Sequence, residues 1–259
     1  MIDTHAHVHD RQYDEDRERV VERARAAGVE RIITIGCDLD DSERALRVAG
    51  QFGLAATIGI HPHEAKSAPA DVAAAFDRLR SGAQAPVVAI GETGLDYYYM
   101  HSPADDQRRV MEAQIRYAQA AALPVVFHQR DAGDDFLAVL RATWDRSTMR
   151  GVVHCFTGDA AQATAFVDEF GLKLGIGGVL TFKTAEPLRE AVRAVGLAAL
   201  LLETDCPYLA PVPFRGKRNE PAFVAETARK LAEVLATDVT EVVAATTRSA
   251  EALFALPVA

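Results

Sequence analysis

Histidines and acids recur in this sequence at matching places beside short apolar runs. His5 and His7 close the first run, His61 and His63 follow the third, and Glu92 and Asp96 follow the fourth. His128 follows the fifth, His154 the sixth, and Glu203 with Asp205 the eighth. One imidazole in such a place is ordinarily a hydrogen-bonded polar group, and one carboxylate a cap or a solvated charge. His9 and His101 lack this setting and take that plain reading. Six of the eight histidines sharing the pattern with several acids points instead to a metal site.

The donors constrain the ion. In a strand, His-x-His turns both imidazoles to one face, so His5 and His7 can bind one cation together. Imidazoles with carboxylates suit Zn, Mn, Fe or Ni, and Mg with fewer protein bonds. No Cys-x-x-Cys pair occurs, which excludes a structural zinc ribbon. One catalytic ion needs three ligands and an open position, and more donors than that are available. Two ions sharing a carboxylate fit better, and a pair about 3.5–4 Å apart suits displacement at phosphorus.

Such a site needs a scaffold that brings strand ends together. Apolar runs predict strands at 1–3, 31–36, 54–60, 87–91, 124–127, 151–153, 172–176 and 198–202. Several lack alternation, as expected of strands buried on both faces. Helices are expected at 14–27 and 42–52, with Gly28 and Gly53 as left-handed stops. Ser102-Pro103-Ala104-Asp105 resembles a capping box opening a helix to about residue 123. Phe136, Leu137 and Leu140 share a helical face, as do Ala163, Phe166, Val167 and Phe170. Leu188, Ala191, Val192 and Val195 mark another helix, and two more are expected at 222–235 and 239–254. Eight strands alternating with helices is the arithmetic of a (β/α)8 TIM barrel, an α/β fold, in a single domain over 1–259. A doubly wound sheet would carry a Gly-rich loop where Asp3-Thr4-His5-Ala6-His7 stands. In a barrel the acids and histidines gather at the C-terminal face.

Composition narrows the class. With 49% hydrophobic and 25% charged residues, the chain is neither disordered nor a disulfide scaffold. Its longest apolar run, 194–202, is far below the roughly 20 residues that cross a bilayer. Three widely spaced cysteines and no signal-peptide core suit a cytoplasmic protein. A formal charge of −9 disfavours a sequence-independent nucleic-acid coat. It leaves room for an enzyme on nucleic acid if metal ions and a basic loop supply positive field. The 206–220 stretch is long, proline-rich and basic, and loops of that length are usually functional.

Five segments together resemble the TatD family of metal-dependent deoxyribonucleases. They are Ile2-Asp3-Thr4-His5-Ala6-His7, Gly91-Glu92-Thr93-Gly94-Leu95-Asp96-Tyr97, Pro124-Val125-Val126-Phe127-His128-Gln129-Arg130-Asp131-Ala132 and His154-Cys155-Phe156-Thr157-Gly158. The last is Glu203-Thr204-Asp205-Cys206-Pro207-Tyr208-Leu209, followed by Arg215-Gly216-Lys217-Arg218-Asn219-Glu220-Pro221. His-x-His alone is weak, whereas the last segment is highly specific. The resemblance implies that His5, His7 and Asp205 hold one divalent ion, that Glu92 bridges, and that His128 and His154 hold the second. The ions would be Mg, Mn or Zn. It implies that His63, with His61 beside it, faces substrate phosphate. Glu92 stands where related amidohydrolases often have a modified lysine. His9 replaces the usual Asp or Asn, and Ser249 the usual Asn.

The reaction implied is phosphodiester hydrolysis by a metal-activated water, with Asp205 also taking the water proton and Glu92 completing the catalytic pair. The resemblance suggests 3′-to-5′ trimming of DNA, with single-stranded ends as substrate and neither a membrane nor an obligate protein partner implied. Glu203 supports an imidazole or sits in an internal ion pair. Arg215, Lys217 and Arg218 grip a nucleic-acid backbone or form a solvated charge run. Tyr208 and the Tyr97-Tyr98-Tyr99 run stack on bases or pack at the rim. Two other functions remain open: an amidohydrolase acting on a lactone, amide or small phosphoester, and a binding protein with a vestigial site. The complete donor set disfavours the latter.

Overall fold

The computed structural model describes residues 1–256. Among them lie eight strands: β1 Ile2–Ala6, β2 Arg31–Ile35, β3 Ala55–Ile58, β4 Val87–Asp96, β5 Val125–Arg130, β6 Gly151–Val153, β7 Lys173–Ile176 and β8 Leu200–Leu202. They form one sheet in chain order. Ala6 also pairs in parallel with Cys206, just beyond β8, so the first strand meets the end of the last. This is the (β/α)8 TIM-barrel class, and the reversed strand order of a doubly wound sheet is absent among the described residues. The helices are α1 Arg17–Ala26, α2 Leu39–Phe52, α3 Val72–Ser81, α4 Ala104–Ala120, α5 Gly133–Thr143, α6 Ala160–Thr164, α7 Glu186–Val195, α8 Val224–Leu235 and α9 Val239–Phe254. None is long and apolar enough to cross a membrane.

Two compact units are distinguishable, residues 1–34 with 155 onward, and residues 35–154. In the first, Ile2 pairs with Arg31 and Leu174 with Leu200, and Tyr13, Phe166, Leu174, Leu200 and Leu201 are fully buried. In the second, Ile90 pairs with Val125 and Phe127 with Val153. Phe127 there meets Phe136 and Trp144 edge to face. Each such side chain contributes about 1.5–3 kcal/mol on burial.

Four elements depart from expectation. β4 runs past Gly91 to Asp96, because Gly94 is not a break. A Cβ at Gly94 would stand 1.9 Å from the His128 carbonyl oxygen, and its φ is +146°, so only glycine lets β4 lie this close to β5. Ser102 does not cap α4. Its hydroxyl donates to the His63 carbonyl and accepts the Lys66 amide, leaving Pro103 at the cap position without a side-chain bond. α2 begins at Leu39, three residues before the expected Ser42, because the Asp38 carboxylate accepts the Asp41 amide. α3 was not among the expected helices. It is alanine-rich and buries only Val72, Ala75 and Phe76, so its apolar face is small.

Candidate metal centre

In the second unit, one carboxylate oxygen gathers three imidazoles. Glu92 Oε1 lies 2.7 Å from His154 Nε2, 2.9 Å from His128 Nδ1 and 3.4 Å from His61 Nε2. His128 Nδ1 and His154 Nε2 are themselves 3.3 Å apart. β4 ends in the Glu92 to Asp96 segment, and β5 carries His128 into register with Gly94. Asp96 completes the arrangement. Its Oδ2 accepts from His63 Nε2 at 2.9 Å and His128 Nε2 at 3.1 Å, and its Oδ1 accepts the amides of Tyr98 and Tyr99. Asp96 takes His128 Nε2, which leaves Nδ1 as the ring nitrogen that faces Glu92.

The electrostatics follow from these contacts. Burial pushes the Glu92 carboxyl up, but the His154 and His61 charges and the His128 bond more than offset it and hold it well below the ordinary carboxylate range. Asp96 is likewise held low against its burial by the bonds from His128, the Tyr99 amide and His63. Burial lowers His61 to about 4, against the opposing pull of the Glu92 carboxylate. For His128 burial acts the same way, yet the Asp96 and Glu92 bonds win and raise it. His61, Glu92 and His128 each offer one ligand atom within 4.8 Å of the others. Borderline nitrogen with carboxylate oxygen is the chemistry a divalent transition ion selects, so these residues fit one.

The first unit holds a donor set of its own. His5 and His7 are in and just beyond β1, their rings 5.2 Å apart. Asp205 Oδ1 stands 3.7 Å from His5 Nε2 and 3.5 Å from His7 Nε2. Main-chain bonds fix this placement: Asp205 N donates to His5 O, and His7 N to Cys206 O. Asp205 adopts φ +56°, a left-handed turn that an aspartate tolerates. Beneath it, Asp3 accepts the Thr204 amide at 3.0 Å and hydroxyl at 2.6 Å. Burial drives the Asp3 carboxyl up to about 8, against those bonds. Glu203 Oε1 accepts the Cys155 amide at 2.5 Å, the peptide that follows His154.

A family model described as TatD related DNase matches residues 2–255. The chain belongs to the TatD family of metal-dependent hydrolases. TatD-family relatives span it almost end to end. It is 40% identical over 255 residues to the metal-dependent hydrolase YabD of Bacillus subtilis, covering 98% of each chain. It is 37% identical over 264 residues to the 3′-5′ ssDNA/RNA exonuclease TatD of Erwinia amylovora, covering 99% of this chain and 100% of that one. Among solved structures, the TatD homolog YjjV of Escherichia coli K12 superposes with a TM-score of 0.91 at 30% identity, covering 99% and 98%.

The TatD-motif residues fall as follows. His128, His154 and Glu92 come together, and so do His5, His7 and Asp205. His61 touches Glu92 in the donor cluster, and His63, its ring 4.3 Å from that of His61, sits on Asp96. Tyr208 is 51% exposed with its ring 6.1 Å from that of His7. Arg215 is exposed and lies over the Phe182 ring at 3.8 Å, and Lys217 is exposed 6.0 Å from the Phe214 ring centroid. Arg218 differs from its neighbours: its guanidinium is spent on both Asp16 carboxylate oxygens and the Gln12 carbonyl. It clamps the loop rather than presenting charge. Asn219 anchors the same loop through the Thr204 and Tyr208 carbonyls. His9, the substituted family position, bonds Thr34, and Ser249 donates to the Ala198 carbonyl. Asp96 shares the acid-and-histidine pattern of the sequence without a ligand role, and here it buttresses His63 and His128. Its signal was the Glu-x-x-x-Asp spacing on one strand, which puts both acids on one face once β4 is read through its glycines.

Proposed function

We propose that the chain is a two-metal 3′-to-5′ exonuclease that trims single-stranded DNA in the cytosol, both units acting as one catalytic domain. The observation that carries this reading is the convergence of His61, His128 and His154 on one oxygen of Glu92. The ssDNA/RNA exonuclease activity for which the Erwinia relative is named supports the substrate class, and three widely spaced cysteines suit a reducing compartment. His5, His7 and Asp205 would hold one divalent ion, His128 and His154 the second, and Glu92 both. Such ions would supply Lewis acidity there, to lower the proton affinity of a water and to offset charge on the departing oxygen.

The chain's own groups supply the rest. Asp205, held by the main chain at 3.5 Å or more from its imidazoles, is the carboxylate that accepts the water proton. Asp96 fixes the tautomer of His128 and the orientation of His63, which faces substrate phosphate. Glu203 holds the Cys155 peptide behind His154. Arg215 and Lys217 meet the nucleic-acid backbone, and Tyr208 an unpaired base.

Chelator-treated protein is given Mg, Mn or Zn in turn and assayed on end-labelled single-stranded DNA, duplex DNA and RNA. A panel of lactones and phosphotriesters runs beside it. The expected result is metal-restored shortening from the 3′ end, fastest on the single strand. Hydrolysis confined to the small molecules would overturn the nuclease reading in favour of the amidohydrolase one.

A further inference from the structure

The turn after β4 carries three consecutive tyrosines with different fates. Tyr97 is turned into the fold, its hydroxyl bonded to Asp135 and Arg108. Tyr98 and Tyr99 point outward, 58% and 49% exposed, and Met100 beside them is 48% exposed. Large apolar side chains gathered in the open usually mark a binding surface.

We propose that Tyr98 and Tyr99, backed by Arg130, form a platform on which an unpaired nucleobase stacks as its strand enters beside His63. The proposal rests on the exonuclease reading and adds how that enzyme would select unpaired, base-bearing nucleotides. Several observations converge. Arg130, the last residue of β5, places its guanidinium 4.0 Å from the Tyr98 ring centroid and 4.9 Å from that of Tyr99. The cation stiffens both rings and adds a positive charge to an acidic chain, where a polyanion needs one. The two rings meet edge to face at 4.8 Å, and His101 lies parallel to Tyr99 at 5.6 Å.

Asp96 Oδ1 accepts both tyrosine amides and so ties the turn to the end of β4. A preorganised surface loses less entropy on binding. The same carboxylate holds His63 and His128 with its other oxygen. Tyr99 also lies edge-on to His63 at 5.5 Å. The platform is thus continuous with the residue facing substrate phosphate, one contact away from a proposed metal ligand. Every base offers a π-face, so such a surface binds single strands with little sequence preference.

The test compares two labelled single strands, one of deoxyadenosines and one with abasic sites in its 3′-terminal nucleotides. Fluorescence anisotropy on chelator-treated protein reads affinity without cleavage, and 2-aminopurine at the 3′ end reports stacking. Wild-type protein is expected to bind the base-bearing strand about tenfold more tightly and to quench 2-aminopurine. Tyr98→Ala with Tyr99→Ala removes that preference, and Tyr98→Phe with Tyr99→Phe keeps it. Equal affinity for both strands, with metal-restored trimming intact, overturns the platform and leaves the exonuclease reading standing. Absence of both binding and trimming overturns both. A change in oligomeric state in the alanine variant, with base preference unaltered, reassigns the surface to self-association and also overturns the proposal. The wild-type comparison needs no variant to fold.

Discussion

Glu92 and Asp205 are both acids at strand ends of the barrel, and they are held by different means. Glu92 is gripped by side chains, with two imidazole nitrogens within 2.9 Å of one oxygen. Asp205 is set by backbone: a left-handed turn and two main-chain bonds bring it to 3.5 and 3.7 Å of His7 and His5. The first arrangement is prepaid, since the donors already converge and one of them is buttressed by Asp96. The second is more open, with the Asp205 side chain 13% exposed against 4% for Glu92. A tight cluster suits a shared ligand, and a carboxylate with room to move suits a proton acceptor.

The sharpest way to break this contrast is to remove each acid in turn. Glu92→Ala is expected to remove several kcal/mol of stabilisation at the reacting centre, roughly a thousandfold or more in hydrolysis, and to erase any rise in melting temperature on adding metal. Asp205→Asn should also abolish hydrolysis while keeping part of that melting shift, because the Glu92 cluster survives. Retained metal-dependent cleavage in both variants would falsify the site assignment. Next in size is Asp96→Asn, expected to cost about 10–100-fold in metal affinity or activity through the loss of an orienting carboxylate. Isothermal titration with Zn, beside the rate, checks it; unchanged affinity makes Asp96 a loop cap only. Glu203→Gln should cost about tenfold, at the low end of the same range, since the amide it would present is a weaker acceptor for the Cys155 peptide.

The smallest effect falls on the loop rather than on the donors. Asp16→Asn breaks the two-pronged pair with Arg218 and should cost about 1 kcal/mol, measured by urea unfolding. The Arg218 bond holds the Asp16 carboxyl below its ordinary value, so this stabilisation is complete above the unfolded carboxyl's range and fades as pH falls through the folded one. Wild type and variant should therefore converge in acid. A difference that persists there would show packing, not charge, at work.

Much of the site was legible because its residues are local to strand ends. His5, His7, Glu92, His128, His154 and Asp205 could each be placed from an apolar run and the residue that follows it. Less legible were features built by contacts across the chain. The expected strand at 87–91 stops at Gly91, and its continuation to Asp96 depends on how closely the β5 backbone approaches. Ser102 carried a capping pattern, yet the His63 carbonyl claims its hydroxyl. Arg215, Lys217 and Arg218 look alike in sequence, and only the position of Asp16 separates a clamp from a free cation.

The order of strands, the barrel class and the set of donor types were determined by the sequence alone, since hydrophobic periodicity and residue chemistry are properties of neighbours along the chain. Which oxygen of Glu92 collects three imidazoles, that Asp96 buttresses His128, and that Tyr98 and Tyr99 face outward while Tyr97 turns in were decided by tertiary structure. Those outcomes depend on distances of 3 to 5 Å between residues tens of positions apart, and only packing sets them.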